Sequence, residues 1–148
     1  EDYDFDPLLD ELLNEPDVKA YLNVGEHNWT HSSEVADYLY DDKMKSFAGY
    51  IPGLLESMPV LFYQGAVDLL DGAASNEQWI RRLQWSGTDG FKNAARRIWY
   101  LSNGDKAGMI KTYGNLTNIV IPDAGHYAPL DQPARLFELA TTFVRGGT

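Results

Sequence analysis

Two ionisable side chains stand where chemistry is easiest to place. Asp68 lies in the loop after the apolar run Val60-Leu61-Phe62-Tyr63-Gln64, and His126 lies in the loop after Asn118-Ile119-Val120-Ile121. If these runs are parallel, neighbouring strands, both loops open on one sheet edge, outside the carboxyl ends of the strands, where open α/β sheets gather functional groups. An aspartate there can hold the imidazole through Nδ1–H, fixing its tautomer and stabilising the imidazolium, while Nε2 takes a proton from a nucleophile. The structural alternative is plain. An Asp after a strand is a common turn former or helix cap. Asp71, just before Gly72, competes for the same role, and a His in a Gly/Pro-rich loop is commonly structural or solvated. From spacing alone both readings stand.

Other candidates are weaker. His27 and His31 are four apart, a spacing that ligates metal on a helix, but Asn28-Trp29-Thr30 between them reads as loop and no third ligand is evident. They are read as surface histidines. The many carboxylates admit a paired-carboxylate glycosidase, yet nothing fixes a particular pair, and runs such as Asp41-Asp42 read as solvated. With no cysteine in the chain, a disulfide, a thiolate nucleophile and a Cys-ligated metal are excluded. No metal and no cofactor are expected. The formal net charge of −10 argues against nucleic acid, which needs Lys and Arg against phosphates, and against an anionic membrane surface. The longest apolar runs are too short to span a bilayer. The start, Glu-Asp-Tyr-Asp-Phe-Asp, reads as neither signal peptide nor initiator Met and fits either a processed end or an artificial boundary. Two sequons, Asn28-Trp29-Thr30 and Asn115-Leu116-Thr117, are candidate sites of surface N-glycosylation in a secreted protein.

These residues need elements to position them. With 148 residues, 44% of them hydrophobic, the chain can bury a sizeable core in one domain. The first six residues are acidic and expected to be loose. Asn14-Glu15-Pro16 reads as a helix start, with Asn14 as cap, Val18, Tyr21 and Leu22 on one face and Gly25 as the stop. Residues 33–42 read as another short helix. Lys45 to Ser57 reads as a helix weakened by Gly49, Pro52 and Gly53. The two apolar runs suit strands buried on both faces. Gly72 to Leu83 reads as a helix, and Trp99-Tyr100-Leu101 and Met109 to Tyr113 as a hairpin. Pro133 to Val144 closes the chain as an amphipathic helix with Leu136, Phe137, Ala140 and Phe143 on one face. The order strand, helix, hairpin, strand, helix implies α/β architecture, and the order Asp then His matches the Ser…Asp…His sequence of α/β-hydrolases. Two doubly buried strands make a poor sheet, so something else is expected to pair with and cover them.

A family resemblance adds to this. Val60-Leu61-Phe62-Tyr63-Gln64-Gly65-Ala66-Val67-Asp68 resembles the segment around the triad Asp of serine carboxypeptidases, and Ala124-Gly125-His126-Tyr127-Ala128-Pro129-Leu130-Asp131-Gln132-Pro133 resembles their signature around the triad His. Between them, Trp79, Leu83-Gln84-Trp85-Ser86-Gly87, Phe91, Trp99, Ala107-Gly108 and Tyr113-Gly114-Asn115-Leu116-Thr117 fit in order. Upstream, Leu13-Asn14-Glu15-Pro16-Asp17-Val18-Lys19 is similar to the helix that precedes this region. The Cys-free upstream stretch looks closest to the vitellogenic-carboxypeptidase-like branch.

The resemblance implies the C-terminal part of an α/β-hydrolase fold, with a helical region at about 1–58 and residues 59–148 carrying Asp68 as triad acid and His126 as general base. It implies release of C-terminal amino acids from peptides at acidic pH, in a lysosome, a vacuole or a secreted fluid. The Gly-x-Ser-x-Gly nucleophile elbow is not in this chain: Asn76, Ser86 and Ser102 have the wrong surroundings. By the same resemblance the serine, the oxyanion hole and the remaining strands are expected on an N-terminal chain of the same precursor, since members are often cut into two associated chains. The enzyme would be active only with that chain, and a homodimer is compatible with the reading. Tyr127 is a candidate for the substrate pocket. Gly is usual in the family where Asp123 stands here, so the geometry or pH optimum near the His loop is expected to differ. The same fold and triad also serve acyltransferases and hydroxynitrile lyases, and a partner chain without serine would leave a binding homologue.

Overall fold

The computed structural model describes residues 6–30 and 33–146; His31 and the first five residues lie outside them. The chain divides into two compact units, Glu1–Lys45 and Ser46–Thr148. The expected helical region is thus split, because the turn at Ala48–Tyr50 and the helix after it pack with the sheet.

The first unit is helical: α1 (Asp6–Asn14), α2 (Pro16–Leu22), α3 (Ser33–Tyr38) and α4 (Tyr40–Lys43). Pro16 stands in the first turn of α2 as expected, but Asn14 does not cap it. Asn14 ends α1 and turns its side chain to the backbone of Trp29, accepting from its N–H at 2.8 Å and donating to its carbonyl at 3.3 Å. Helix α2 closes at Asn23, not at Gly25, because Asn23 adopts the left-handed φ of 57° and its N–H reaches back to Ala20 and Lys19. Val18 is half-buried while Tyr21 and Leu22 are exposed, so the face they share is not a core within this unit. The single helix expected over 33–42 is broken at Leu39.

The second unit is a four-stranded sheet in the order β1-β4-β3-β2, formed by β1 (Val60–Gly65), β2 (Arg97–Tyr100), β3 (Lys106–Tyr113) and β4 (Leu116–Ile121). Strands β1 and β4 are parallel, with Gly65 opposite Ile121. Strands β2, β3 and β4 form an antiparallel ribbon that includes the expected hairpin. Even-numbered positions of β1 and β4 face helices α5 (Ile51–Leu55), α6 (Ala73–Ile80) and α7 (Thr88–Asn93), packing Val60, Phe62 and Leu116 with Leu55, Ile80, Leu83 and Phe91. Odd-numbered positions face α8 (Ala128–Asp131) and α9 (Pro133–Val144), packing Leu61, Ile119 and Ile121 with Ala128, Leu136 and Leu139. This is the helix–sheet–helix layering of an α/β protein.

Several elements differ from expectation for local reasons. The helix read over Lys45 to Ser57 shrinks to a 3-10 turn and Ile51–Leu55, with Pro52 in its first turn. Helix α6 stops at Ile80 because the chain tightens there, Arg82 and Leu83 donating to carbonyls three residues back. Strand β1 is half-buried rather than buried on both faces, because it lies at the edge of the sheet. On α9 the buried pair is Leu136 and Leu139, while Phe137 is 75% exposed, since one residue along a helix turns the side chain about 100° away.

Candidate active site

The parallel pairing of β1 with β4 puts their carboxyl ends side by side, and the loops that follow are sewn together by backbone. The N–H of Ala66 donates to Ile121 and that of Val67 to Ala124. Gly65 permits this approach: a Cβ there would collide with the carbonyls of Ala124 and Gly125. Beyond the β4 end, Asp131 accepts the N–H of Gly125 at 2.7 Å, and Gln132 and Arg135 donate to the carbonyls of Asp123 and Pro122. Asp123 has a φ of +57°, a left-handed conformation that favours glycine. A glycine, which the resemblance implies at this position, would take that conformation without strain.

This scaffold brings Asp68 and His126 together. Asp68 Oδ2 lies 3.1 Å from His126 Nδ1. The Asp68 side chain is fully buried and that of His126 is 42% exposed. The Oδ1 atom of Asp68 accepts the backbone N–H groups of Leu70 at 2.8 Å and Asp71 at 3.0 Å. The Asp71 amide holds the Asp68 carboxyl below its ordinary pKa; burial opposes this, and His126 and the Leu70 amide reinforce it. An ionised Asp68 facing Nδ1 selects the tautomer with hydrogen on Nδ1, which leaves Nε2 as the basic nitrogen.

Asp71, the rival read from the sequence, is exposed, with Oδ2 3.8 Å from Nδ1. Ligand atoms of Asp68, Asp71 and His126 all fall within 4.8 Å of one another, but Asp68 and Nδ1 are already committed to the donors and acceptor described above. Tyr127 is 68% exposed, its ring edge-on to the imidazole at 5.5 Å. The remaining candidates lie elsewhere: His27 and Asn28 in the first unit, and Asn115 in the turn between β3 and β4. Ser86 and Ser102 donate to Glu56 and Glu138.

Three residues at the site carried no role in the sequence reading. Gln64 donates through Nε2 to Asp68 Oδ2, Asn76 donates to Gln64 Oε1, and Trp79 donates to Asn76 Oδ1 at 2.7 Å. One signal was available: Gln64 is a polar residue closing an apolar strand four positions before Asp68.

Comparison with known proteins gives the family and the fold. The family model described as serine carboxypeptidase matches residues 2–146. Serine carboxypeptidase-like 50 of Arabidopsis thaliana is 37% identical over 141 residues, which cover 94% of this chain and 32% of that protein. Probable serine carboxypeptidase CPVL of Dictyostelium discoideum, a vitellogenic-like relative, is 32% identical over 135 residues, covering 90% and 27%. A prohormone-processing carboxypeptidase of Saccharomyces cerevisiae, Kex1Δp, superposes with a TM-score of 0.73 at 23% identity, over 95% of this chain and 31% of its own; this likeness concerns the fold. The chain spans less than a third of the length of these proteins. A match that runs through nearly the whole sequence leads to one conclusion: the chain belongs to the serine carboxypeptidase family.

Proposed function

We propose that this chain supplies the acid–base pair of a serine-type carboxypeptidase, acting with a nucleophilic serine on the N-terminal portion of the same precursor. The observation that carries the reading is Asp68 Oδ2 at 3.1 Å from His126 Nδ1, outside the carboxyl ends of two parallel strands. The serine hydroxyl attacks the last peptide bond of a substrate. His126 Nε2 takes its proton and passes it to the departing amino acid, and a water molecule then repeats the cycle on the acyl-enzyme. Asp68 holds the imidazole in the required tautomer throughout. Tyr127, exposed beside the imidazole, would contribute to the pocket for the departing side chain.

The N-terminal portion would dock on β1. One side of β1 has no strand beside it among the described residues, and Tyr63 on that strand is exposed. A further parallel strand there would pair its free backbone groups and cover it. Both units are then parts of one α/β-hydrolase domain. No helix among the described residues is long and apolar enough to cross a membrane. Family membership and the two sequons are the grounds on which we propose an acidic lumen or a secreted fluid for the enzyme. Asn28 is the more open sequon, exposed with Oδ1 held by Lys19. Asn115 already spends its Nδ2 on the Leu55 carbonyl.

The test is a fluorophosphonate label on the purified native protein, followed by mass analysis under denaturing conditions. A label on a serine outside this chain, with release of the C-terminal residue from a blocked dipeptide, supports the reading. A native protein that takes no label refutes it, and turnover of only an acyl-ester donor or a cyanohydrin reassigns the same triad to acyl transfer or lyase chemistry.

A further inference from the structure

A single direction can be read along the hydrogen bonds behind Asp68, and it begins at a tryptophan. An indole N–H can only donate. Trp79 Nε1 points at Asn76 at 2.7 Å, so the oxygen of Asn76 must face it. Asn76 therefore presents its NH₂ group to Gln64, which must answer with Oε1. Gln64 is then left with Nε2, and this donates to Asp68 Oδ2. Amide orientations are ordinarily ambiguous. Here a donor-only group at one end and a carboxylate at the other make each orientation the only one that works.

We propose that Gln64, Asn76 and Trp79 are positioning residues that fix the orientation of Asp68 and the direction of every hydrogen bond it accepts, and so hold His126 in its working tautomer. The inference rests on the catalytic role given above to Asp68 and His126. Asp68 sits in a loop, and its two backbone donors bind only Oδ1. Rotation of Oδ2 is restrained by Gln64, which extends from the even-numbered face of β1 onto α6. Asn76 and Trp79 are one turn apart on that helix, and the Trp79 ring is edge-on to Phe62 of β1 at 5.1 Å. The loop carboxylate is thereby referenced to a packed strand and helix, the kind of support that locks a catalytic geometry.

The chain also has a chemical consequence. Gln64 shares Oδ2 with His126. A carboxylate that accepts one donor fewer concentrates its charge on the remaining one, so losing Gln64 would favour the imidazolium over the neutral base. The titratable groups near the imidazole are Asp68 and Asp71 from the β1–α6 loop, Tyr127 beside it, and Asp131, which holds the Gly125 N–H. Glu77 on α6 is engaged with Arg96 and Lys111. Of these groups, Asp68 is the one that accepts a hydrogen bond from Gln64.

The experiment uses the whole enzyme, including its nucleophile, and two variants. Trp79→Phe keeps an aromatic ring against Phe62 but removes the N–H together with part of the indole; Gln64→Leu removes the donor to Asp68. Each is measured for kcat and KM across pH and for thermal melting. We expect kcat to fall roughly tenfold in the Phe variant and up to about a hundredfold in the Leu variant, the scale of a misplaced catalytic group, with KM within about twofold. The acid limb of kcat/KM should move to higher pH in Gln64→Leu. Wild-type kcat and an unmoved acid limb in both variants would overturn the proposal. So would a lowered melting temperature with unchanged kinetics, which marks a purely structural role. If Gln64→Leu does not fold, Trp79→Phe decides alone by its kcat. A wild-type protein that takes no fluorophosphonate and has no peptidase activity overturns the catalytic reading itself and this inference with it, whereas an active wild type with indifferent variants overturns only the positioning chain.

Discussion

A carboxylate serves an imidazole only while it stays ionised as the imidazole gains and loses a proton. Asp68 meets that condition because two backbone N–H groups, Gln64 and His126 all donate to it. Replacing it with Asn keeps the shape but offers Nδ1 either a weaker acceptor or an NH₂ group, which selects the wrong tautomer. Asp68→Asn is therefore expected to lower kcat of the whole enzyme by roughly 10⁴-fold. His126→Ala should abolish turnover while leaving peptide binding in place. Steady-state kinetics with a blocked dipeptide, paired with inhibitor binding, checks both, and near-normal rates in either variant would remove the residue from the mechanism. Asp68 and His126 were candidates in the sequence because each follows an apolar strand by a few residues, and the family resemblance singled them out from the structural alternative. Gln64, Asn76 and Trp79 were not, because a neutral amide or an indole declares a role only through the partner it meets in space, and these partners come from different elements.

At the scale of elements, the site depends on two loops approaching closer than most side chains allow. Gly65 stands at that contact, where any Cβ meets the carbonyls of Ala124 and Gly125. These are backbone atoms and cannot rotate away, so Gly65→Ala must push the His loop off the end of β1. We expect a loss of about 1–3 kcal/mol in urea unfolding, with kcat falling further than stability alone explains, since a shift of about 1 Å at the imidazole can cost roughly a hundredfold. Wild-type kcat in this variant would show that the loop tolerates displacement. The sequence displayed β1 and β4 clearly, as near-continuous apolar runs. It was less clear for the helices. Gly49, Pro52 and Gly53 reduced an expected thirteen-residue helix to Ile51–Leu55, and the leucines of α1, set at helical spacing, were overshadowed by the acidic run before them. The half-burial of β1 follows from its place at the sheet edge, which no local pattern encodes.

At the scale of the whole molecule, an enzyme proposed for an acidic compartment must keep its fold while its carboxylates approach protonation. The chain carries 22 acidic residues against 12 Lys and Arg, so which carboxylates stay charged matters. Glu77 is one that does. Burial pushes its carboxyl up, but Arg96 at 3.0 Å and Lys111 at 3.5 Å more than offset this and hold it below the ordinary glutamate value. Lys111 is 4% exposed and also lies over the Phe91 ring, while Arg96 donates onward to Asn118 of β4. Glu77 thus ties α6 to β3 and β4. A carboxyl whose pKa is depressed on folding contributes stability that is present above its unfolded pKa and lost as pH falls through its folded one. Because the folded value lies lower, the contribution persists through mildly acidic pH and fades only below the range of an ordinary glutamate. Glu77→Gln should therefore cost about 1–2 kcal/mol near neutrality, discounted for partial exposure, and nearly as much at pH 5. The gap to wild type should close as the pH is lowered further, once Glu77 itself is protonated. Unfolding curves of both proteins between pH 7 and strong acid make the comparison. A gap that stays constant across that range would mean that the glutamate acts through packing rather than charge, and would remove it from the account of acid tolerance.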